Sequence, residues 1–164
     1  MWQLIICLLL ANIRDTIRQG IRDGEKSQVL VEFQSKVQEI VSAQVERVSD
    51  TASKESADIV LADLPCSGLG IIGRKPDIKY HTDIEKIEQL ASLQREILTV
   101  VQEYVKPGGT LVYSTCTISR PENEENAAWF EKNFPFVRES SAKQLLPGID
   151  GTDGFFMVKF RKKL

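Results

Sequence analysis

Three side chains stand where a short apolar run gives way to a loop, and together they could act on a heterocycle: Asp63, Cys66 and Cys116. A cysteine thiolate is suited to adding to an electron-poor C=C bond. It exists at neutral pH only when its pKa is depressed by a nearby base, a cation or a helix N-terminus. Cys116 lies just ahead of a helix predicted to open with the capping pair Ser119 and Glu122, where such a field is available. Asp63, next to Pro65-Cys66, can hydrogen-bond the polar edge of a ring. Each residue also has a plainer reading, since a buried cysteine is more often an inert small hydrophobe and an acid at a strand end is often a cap.

What lifts them above the plainer reading is the elements that must carry them. Ala57-Asp-Ile-Val-Leu-Ala-Asp63 reads as a strand feeding the Gly/Pro loop Leu64-Pro-Cys-Ser-Gly-Leu-Gly70. Thr82 and Glu85 form a capping box for a helix with Ile87, Leu90, Ala91, Ile97, Leu98, Val101 and Val105 on one face, stopping at Lys106-Pro-Gly-Gly109. Thr110-Leu-Val-Tyr-Ser-Thr115 is a second strand, followed by Cys116 and the helix from Ser119. Phe136-Val-Arg138 and Gly154-Phe-Phe-Met-Val-Lys-Phe160 read as two closing strands. The alternation predicts an α/β fold with a parallel sheet covered by helices, in which ligands sit at the carboxyl ends of the strands. Both cysteines would then face one pocket.

Residues 1–56 have a different character. Trp2 to Ala11 is apolar but too short to span a bilayer, and it reads as a buried or partner-covered element. Leu30, Phe33, Val37, Ile40, Val41, Val45 and Val48 follow helical spacing, and Gly20 and Gly24 read as a turn between helices. The chain of 164 residues has a net charge of −2, so it lacks the global basic field of an autonomous nucleic-acid binder and any RNA contact must be local. Cys7, Cys66 and Cys116, with His81 the one histidine, form neither a disulfide framework nor a zinc site. No metal is expected, and a reducing cytoplasm fits best.

Asp63-Leu-Pro-Cys-Ser-Gly-Leu-Gly70 followed by Ser114-Thr-Cys-Thr117 resembles the paired Pro-Cys and Thr-Cys motifs of the RNA cytosine-5 methyltransferase family. Arg74-Lys-Pro-Asp-Ile-Lys79, Leu93-Gln-Arg-Glu-Ile-Leu98, Pro121-Glu-Asn-Glu124 and Asp153-Gly-Phe-Phe156 are similar to the bacterial branch that methylates small-subunit ribosomal RNA, the Sun or RsmB type. The resemblance runs from about Ala57 to Lys163. It implies a partial Rossmann-like methyltransferase sheet over residues 57–164, closed by an antiparallel strand pair, with a helical segment over residues 1–56 in place of the first strands.

The resemblance also implies a chemistry. Cys116 carries over as the nucleophile that attacks C6 of cytosine, so that C5 takes a methyl group from S-adenosylmethionine, and Cys66 as the residue that assists release. Asp63 carries over as the acid bordering both cofactor and base, with Asp50 as a weaker candidate on the cofactor's adenine side. Arg74, Lys75 and Lys79 are candidate phosphate contacts to RNA. The Gly-rich cofactor turn of the family is not legible before Ala57, so the chain reads as a truncated or rearranged form that binds cofactor weakly by itself. The rival reading is a non-catalytic protein that keeps the fold and pairs with another chain, or with itself, through the Leu30 to Val48 helix. An amino-group methyltransferase, which needs no cysteine, fits less well.

Overall fold

The computed structural model describes residues 53–164. Trp2 to Ala11, Cys7, Gly20, Gly24, the Leu30 to Val48 stripe and Asp50, all singled out in the sequence, lie outside the described residues. So does the expected helical replacement of the first strands.

The described chain builds one five-stranded sheet. β1 (Ala57–Asp63) pairs in parallel with β2 (Val105–Thr115), and β2 pairs antiparallel with β5 (Phe155–Lys162). β5 in turn pairs antiparallel with β3 (Phe136–Arg138) and with the short β4 (Lys143–Leu145). The path β1-β2-β5-β3 thus puts the last strand in the middle. Parallel neighbours need a crossover, and α2 (Ile84–Val101) supplies it after the single turn α1 (Ile78–His81). α3 (Asn126–Asn133) leads from β2 to β3. This mixed parallel and antiparallel sheet is the Rossmann-like arrangement expected, with the closing antiparallel pair in place. No helix among the described residues is long and apolar enough to cross a membrane.

Local chemistry moves two boundaries away from their expected positions. α2 is capped by Asp83, whose carboxylate accepts from the Lys86 backbone N–H at 2.8 Å, rather than by Thr82; Thr82 is extended and ends α1. Lys106-Pro-Gly-Gly109 does not lie between helix and strand but within β2. There, Ala57 to Ile59 of β1 faces Val105 to Thr110, and the surplus residues bulge out through Gly108 at φ 71°. Val105, expected on the helix face, therefore opens β2 instead.

The core lies between sheet and helices. Phe130 of α3 has its ring centroid 5.1, 5.0 and 4.9 Å from those of Phe134, Phe136 and Phe160, a set of tilted pairs each worth about 0.5–1.5 kcal/mol beyond area burial. Leu90, Ala91, Ile97 and Leu98 form the apolar buried face of α2, and Val105, Leu111 and Tyr113 are buried apolar residues of β2. Gln94 is buried among those α2 residues without being apolar. Lys162 at the end of β5 is anchored by the Val105 carbonyl at 2.8 Å and the Glu55 carboxylate at 3.0 Å, tying the last strand to the start of β2.

Candidate active site

The parallel register of β1 and β2 sets Asp63 opposite Ser114, so the two strands end at the same level. One more sheet-like bond, from Leu64 N–H to the Ser114 carbonyl at 3.0 Å, carries the pairing into the loops. Two residues on from each of those positions the thiols meet: Cys66 Sγ and Cys116 Sγ lie 3.0 Å apart, both partly buried and neither in a disulfide. The hydrogen bond between them pushes Cys66 well above the ordinary thiol value, with burial and the neighbouring Cys116 and Glu122 charges adding to it. The same bond lowers Cys116, against the opposing effects of burial and of the Asp63 and Glu122 charges. Of the two, Cys116 is therefore the sulfur that ionises first.

The source of that depression differs from the one expected. No helix begins at Ser119. The helical path starts at Pro121 as a π-helical turn over Pro121–Glu125, with no side-chain cap. The thiol of Cys66, rather than a helix end, is the leading influence that lowers Cys116. Asp63 stands beside the pair, half-buried, and accepts from Ser114 Oγ at 2.9 Å through Oδ1. Burial pushes its carboxyl up, with the Ser114 bond acting in the opposite direction. Its other oxygen takes no hydrogen bond from the described residues, which leaves an acceptor for a base or cofactor edge.

Two glycines lock the loops that carry the cysteines. Gly70 N–H donates to the Cys116 carbonyl at 3.1 Å, and Gly154 N–H donates to the Gly70 carbonyl at 2.8 Å. A Cβ on Gly70 would lie 2.2 Å from the Gly154 oxygen and 2.8 Å from the Cys116 oxygen. Only a residue without a side chain permits this three-way backbone approach. It joins the Pro-Cys loop, the Thr-Cys loop and the entry to β5.

Beneath the thiols is a buried polar cluster that the sequence did not reveal. The Glu122 carboxylate accepts from the Ser67 backbone N–H at 2.8 Å, from Ser67 Oγ at 2.6 Å and from Gln94 Nε2 at 3.2 Å. Ser67 Oγ also meets Thr117 Oγ1 at 2.8 Å. The expected capping role of Glu122 is thus replaced by a long-range one, in which it accepts from the otherwise unpaired Ser67 backbone N–H and from its hydroxyl. Tyr113 donates its hydroxyl to the Glu122 carbonyl, and burial first among its causes raises that phenol far above its usual range. Asn123 and Asn126 continue the cluster to the Thr117 carbonyl at 3.0 Å and the Ala91 carbonyl at 3.0 Å. The signal available in the sequence was Gln94, a polar residue in the middle of an apolar helix stripe.

Of the remaining candidates, Arg74, Lys75 and Lys79 are exposed on the segment that follows the Pro-Cys loop. Arg74 pairs with Asp153 at 2.9 Å, and Lys79 Nζ sits 4.6 Å from the centroid of the Tyr80 ring. Asp50 lies outside the described residues.

Comparison with known proteins agrees with this arrangement. Residues 25–161 match the family described as 16S rRNA methyltransferase RsmB/F. The probable ribosomal RNA small subunit methyltransferase B of Bacillus subtilis is 42% identical over 135 residues, covering 71% of this chain and 30% of that protein. Ribosomal RNA small subunit methyltransferase B of Klebsiella pneumoniae is 42% identical over 116 residues, covering 66% of this chain and 27% of that one. The chain thus spans under a third of the length of these relatives. Among solved structures, NSun6 from Pyrococcus horikoshii, crystallised with SFG, superposes with a TM-score of 0.62 at 26% identity, covering 80% of this chain and 39% of that one. A methyltransferase homologue from the same organism gives 0.60 at 25% identity, covering 80% and 50%. With its two cysteine loops side by side at the strand ends and this match over most of its length, the chain belongs to the 16S rRNA methyltransferase RsmB/F family, of the Sun or RsmB type.

Proposed function

We propose that this chain carries the catalytic portion of a ribosomal RNA cytosine-C5 methyltransferase, with Cys116 as nucleophile, Cys66 as the residue that assists release and Asp63 as the acid at the border of base and cofactor. The observation that carries the reading is the 3.0 Å contact between two free thiols of opposite tendency, Cys116 toward thiolate and Cys66 toward thiol. Cytosine C5 is a poor nucleophile until a group adds at C6. The Cys116 thiolate forms that S–C6 bond, and the electron pair it displaces makes C5 able to accept a methyl group. S-adenosylmethionine supplies that methyl when bound, a cofactor supported by the NSun6 structure, whose SFG is an analogue of it. Transfer of the C5 proton to a solvent base returns its electron pair to the C5–C6 bond and expels the Cys116 sulfur as thiolate, which the Cys66 thiol, 3.0 Å away, is placed to receive as a hydrogen-bond acceptor.

Asp63 suits its role because its half-buried carboxylate keeps one oxygen for an N–H donor while Ser114 fixes the other. Among the described residues it is the one earlier candidate for the cofactor side, so the residues present supply a single edge of that site. The RNA substrate follows from the relatives, with Arg74, Lys75 and Lys79 as its phosphate contacts.

The test is a denaturing gel with small-subunit ribosomal RNA and S-adenosylmethionine, using the chain alone and joined to the preceding part of the Bacillus relative. Cys66→Ala should accumulate an RNA-linked band, because addition proceeds and release fails. Cys116→Ala should give none. Equal adducts from both variants would reverse the assignment, and no adduct from any form would favour a non-catalytic member of the family that pairs with another chain.

A further inference from the structure

Glu122 takes no part in the chemistry above, yet it is fully enclosed at 0% exposure and its carboxylate ends between the two cysteine loops. The residues it holds are the immediate successors of the two thiols. Ser67, after Cys66, donates both its backbone N–H and its hydroxyl, and Thr117, after Cys116, reaches the same carboxylate at 3.5 Å and the Ser67 hydroxyl at 2.8 Å. Gln94 Nε2 binds Glu122 at 3.2 Å and the Pro65 carbonyl at 2.8 Å, so the residue before Cys66 is held as well. No lysine or arginine pairs with Glu122 among the described residues. A buried carboxylate without a cation is costly, and its compensation here is a set of donors drawn from both loops.

We propose that Glu122 is the positioning residue of the thiol pair: by binding Ser67 and Thr117 together, it sets the Cys66 and Cys116 loops at the separation where one sulfur donates to the other. The inference rests on the reading of those two thiols as the reacting groups. A hydrogen bond between sulfurs is weak and cannot hold two loops by itself, whereas a carboxylate accepting from an amide and a hydroxyl makes short, charge-assisted bonds. Glu122 stands in the π-helical turn at Pro121–Glu125, and the Tyr113 hydroxyl takes up its carbonyl. The charge has a second effect. Glu122 and Asp63 face Cys116 from two elements, and both oppose its ionisation, so the Cys66 hydrogen bond works against a negative surround.

The experiment uses the full chain with Cys7→Ser, which leaves two thiols, and compares Glu122→Ala, Glu122→Gln and Ser67→Ala. Diamide, which accepts the two thiol hydrogens, closes a Cys66–Cys116 disulfide whose rate is read by peptide mass without reduction. Iodoacetamide labelling of Cys116 across pH reads its titration. In Glu122→Ala and Ser67→Ala, with circular dichroism unchanged, closure should slow roughly tenfold or more, since small misplacements of reacting atoms cost that much in rate. Glu122→Gln keeps the shape and can still accept from the Ser67 amide; it should close at near the original rate, while the Cys116 midpoint moves to lower pH because a like charge is gone. If Glu122→Ala does not fold, Ser67→Ala and Glu122→Gln carry the decision. Original closure rates in Ser67→Ala together with an unmoved midpoint in Glu122→Gln would overturn the proposal and leave Glu122 as a buried polar filler. Neither readout involves RNA or cofactor, so this failure is distinct from a failure of methyl transfer.

Discussion

Cys66 and Cys116 share a hydrogen bond across 3.0 Å, and that single bond drives the two thiols apart in acidity, Cys66 upward and Cys116 downward. Labelling of Cys116 should therefore show a midpoint below the ordinary value of 9.0. Removing Cys66 leaves burial, the largest remaining influence, with Asp63 and Glu122, all raising Cys116 against its own backbone N–H alone. Cys66→Ala should thus move the Cys116 midpoint above 9.0, and any RNA adduct this variant traps should form faster as pH rises. A Cys116 midpoint that is the same with and without Cys66 would contradict the hydrogen bond as the cause.

Asp63→Asn separates reactivity from turnover. Asp63 raises Cys116 electrostatically, so its neutralisation should lower the Cys116 midpoint and speed simple alkylation. Methyl transfer, measured with a tritiated methyl donor, should nonetheless fall about a hundredfold or more, because one oriented group of the site is lost. Stability should not fall with it. A carboxyl whose folded pKa is raised stabilises the fold at pH below its unfolded pKa, and that contribution is lost as pH rises through the folded pKa. Asn removes the charge that burial disfavours, so it should be neutral or slightly stabilising in urea melts above that window.

Gly70→Ala should be among the most damaging small substitutions in the chain. Its Cβ would meet backbone atoms of Gly154 and Cys116, which cannot rotate aside, so a loss of about 2–3 kcal/mol in urea unfolding is expected. Gly73→Ala, where nothing lies within 4 Å, should stay within about 0.5 kcal/mol. Equal losses at both positions would dissolve the argument from close approach.

Arg74 distinguishes a structural from an RNA-facing role. Its pair with Asp153 is formed by side chains 77% and 35% exposed, and a bridge so placed contributes about 0–1 kcal/mol. Arg74→Ala should leave the thermal midpoint nearly unchanged and weaken RNA binding, with the slope of affinity against salt reduced by roughly one contact. An unchanged salt slope would assign Arg74 to the loop alone.

What could be read from the sequence was whatever neighbours in sequence determine. β1 was legible residue for residue because an apolar run ending in Asp63 and a Pro/Gly loop is a local signal, and the meeting of Cys66 with Cys116 followed from one crossover helix. The parallel pairing of β1 with β2 and the antiparallel closing strands followed the same logic. Glu122 was read as a cap because the local pattern Ser119-x-x-Glu122 allows one, while its actual partner is Ser67, distant in sequence. Hydrogen bonds between loops leave no periodicity. Lys106-Pro-Gly-Gly109 was read as a stop because those residues usually are one; its place in β2 depends on a bulge that only the partner strand reveals. β4 is three residues long and carried no pattern of its own.

The middle of the sheet is occupied by its last-made strand. β5 is the neighbour of β2, β3 and β4, and the loop just before it supplies Gly154 to the clasp on Gly70. A chain emerging from the ribosome can join β1 to β2 through the α2 crossover, but among the described residues β3 and β4 pair with Phe155–Lys162 alone and must wait for it. Contacts of such long sequence separation form late and are slow to close. During synthesis, then, the cysteine loops wait without their backbone lock, and the two thiols reach their poised arrangement only as assembly is completed.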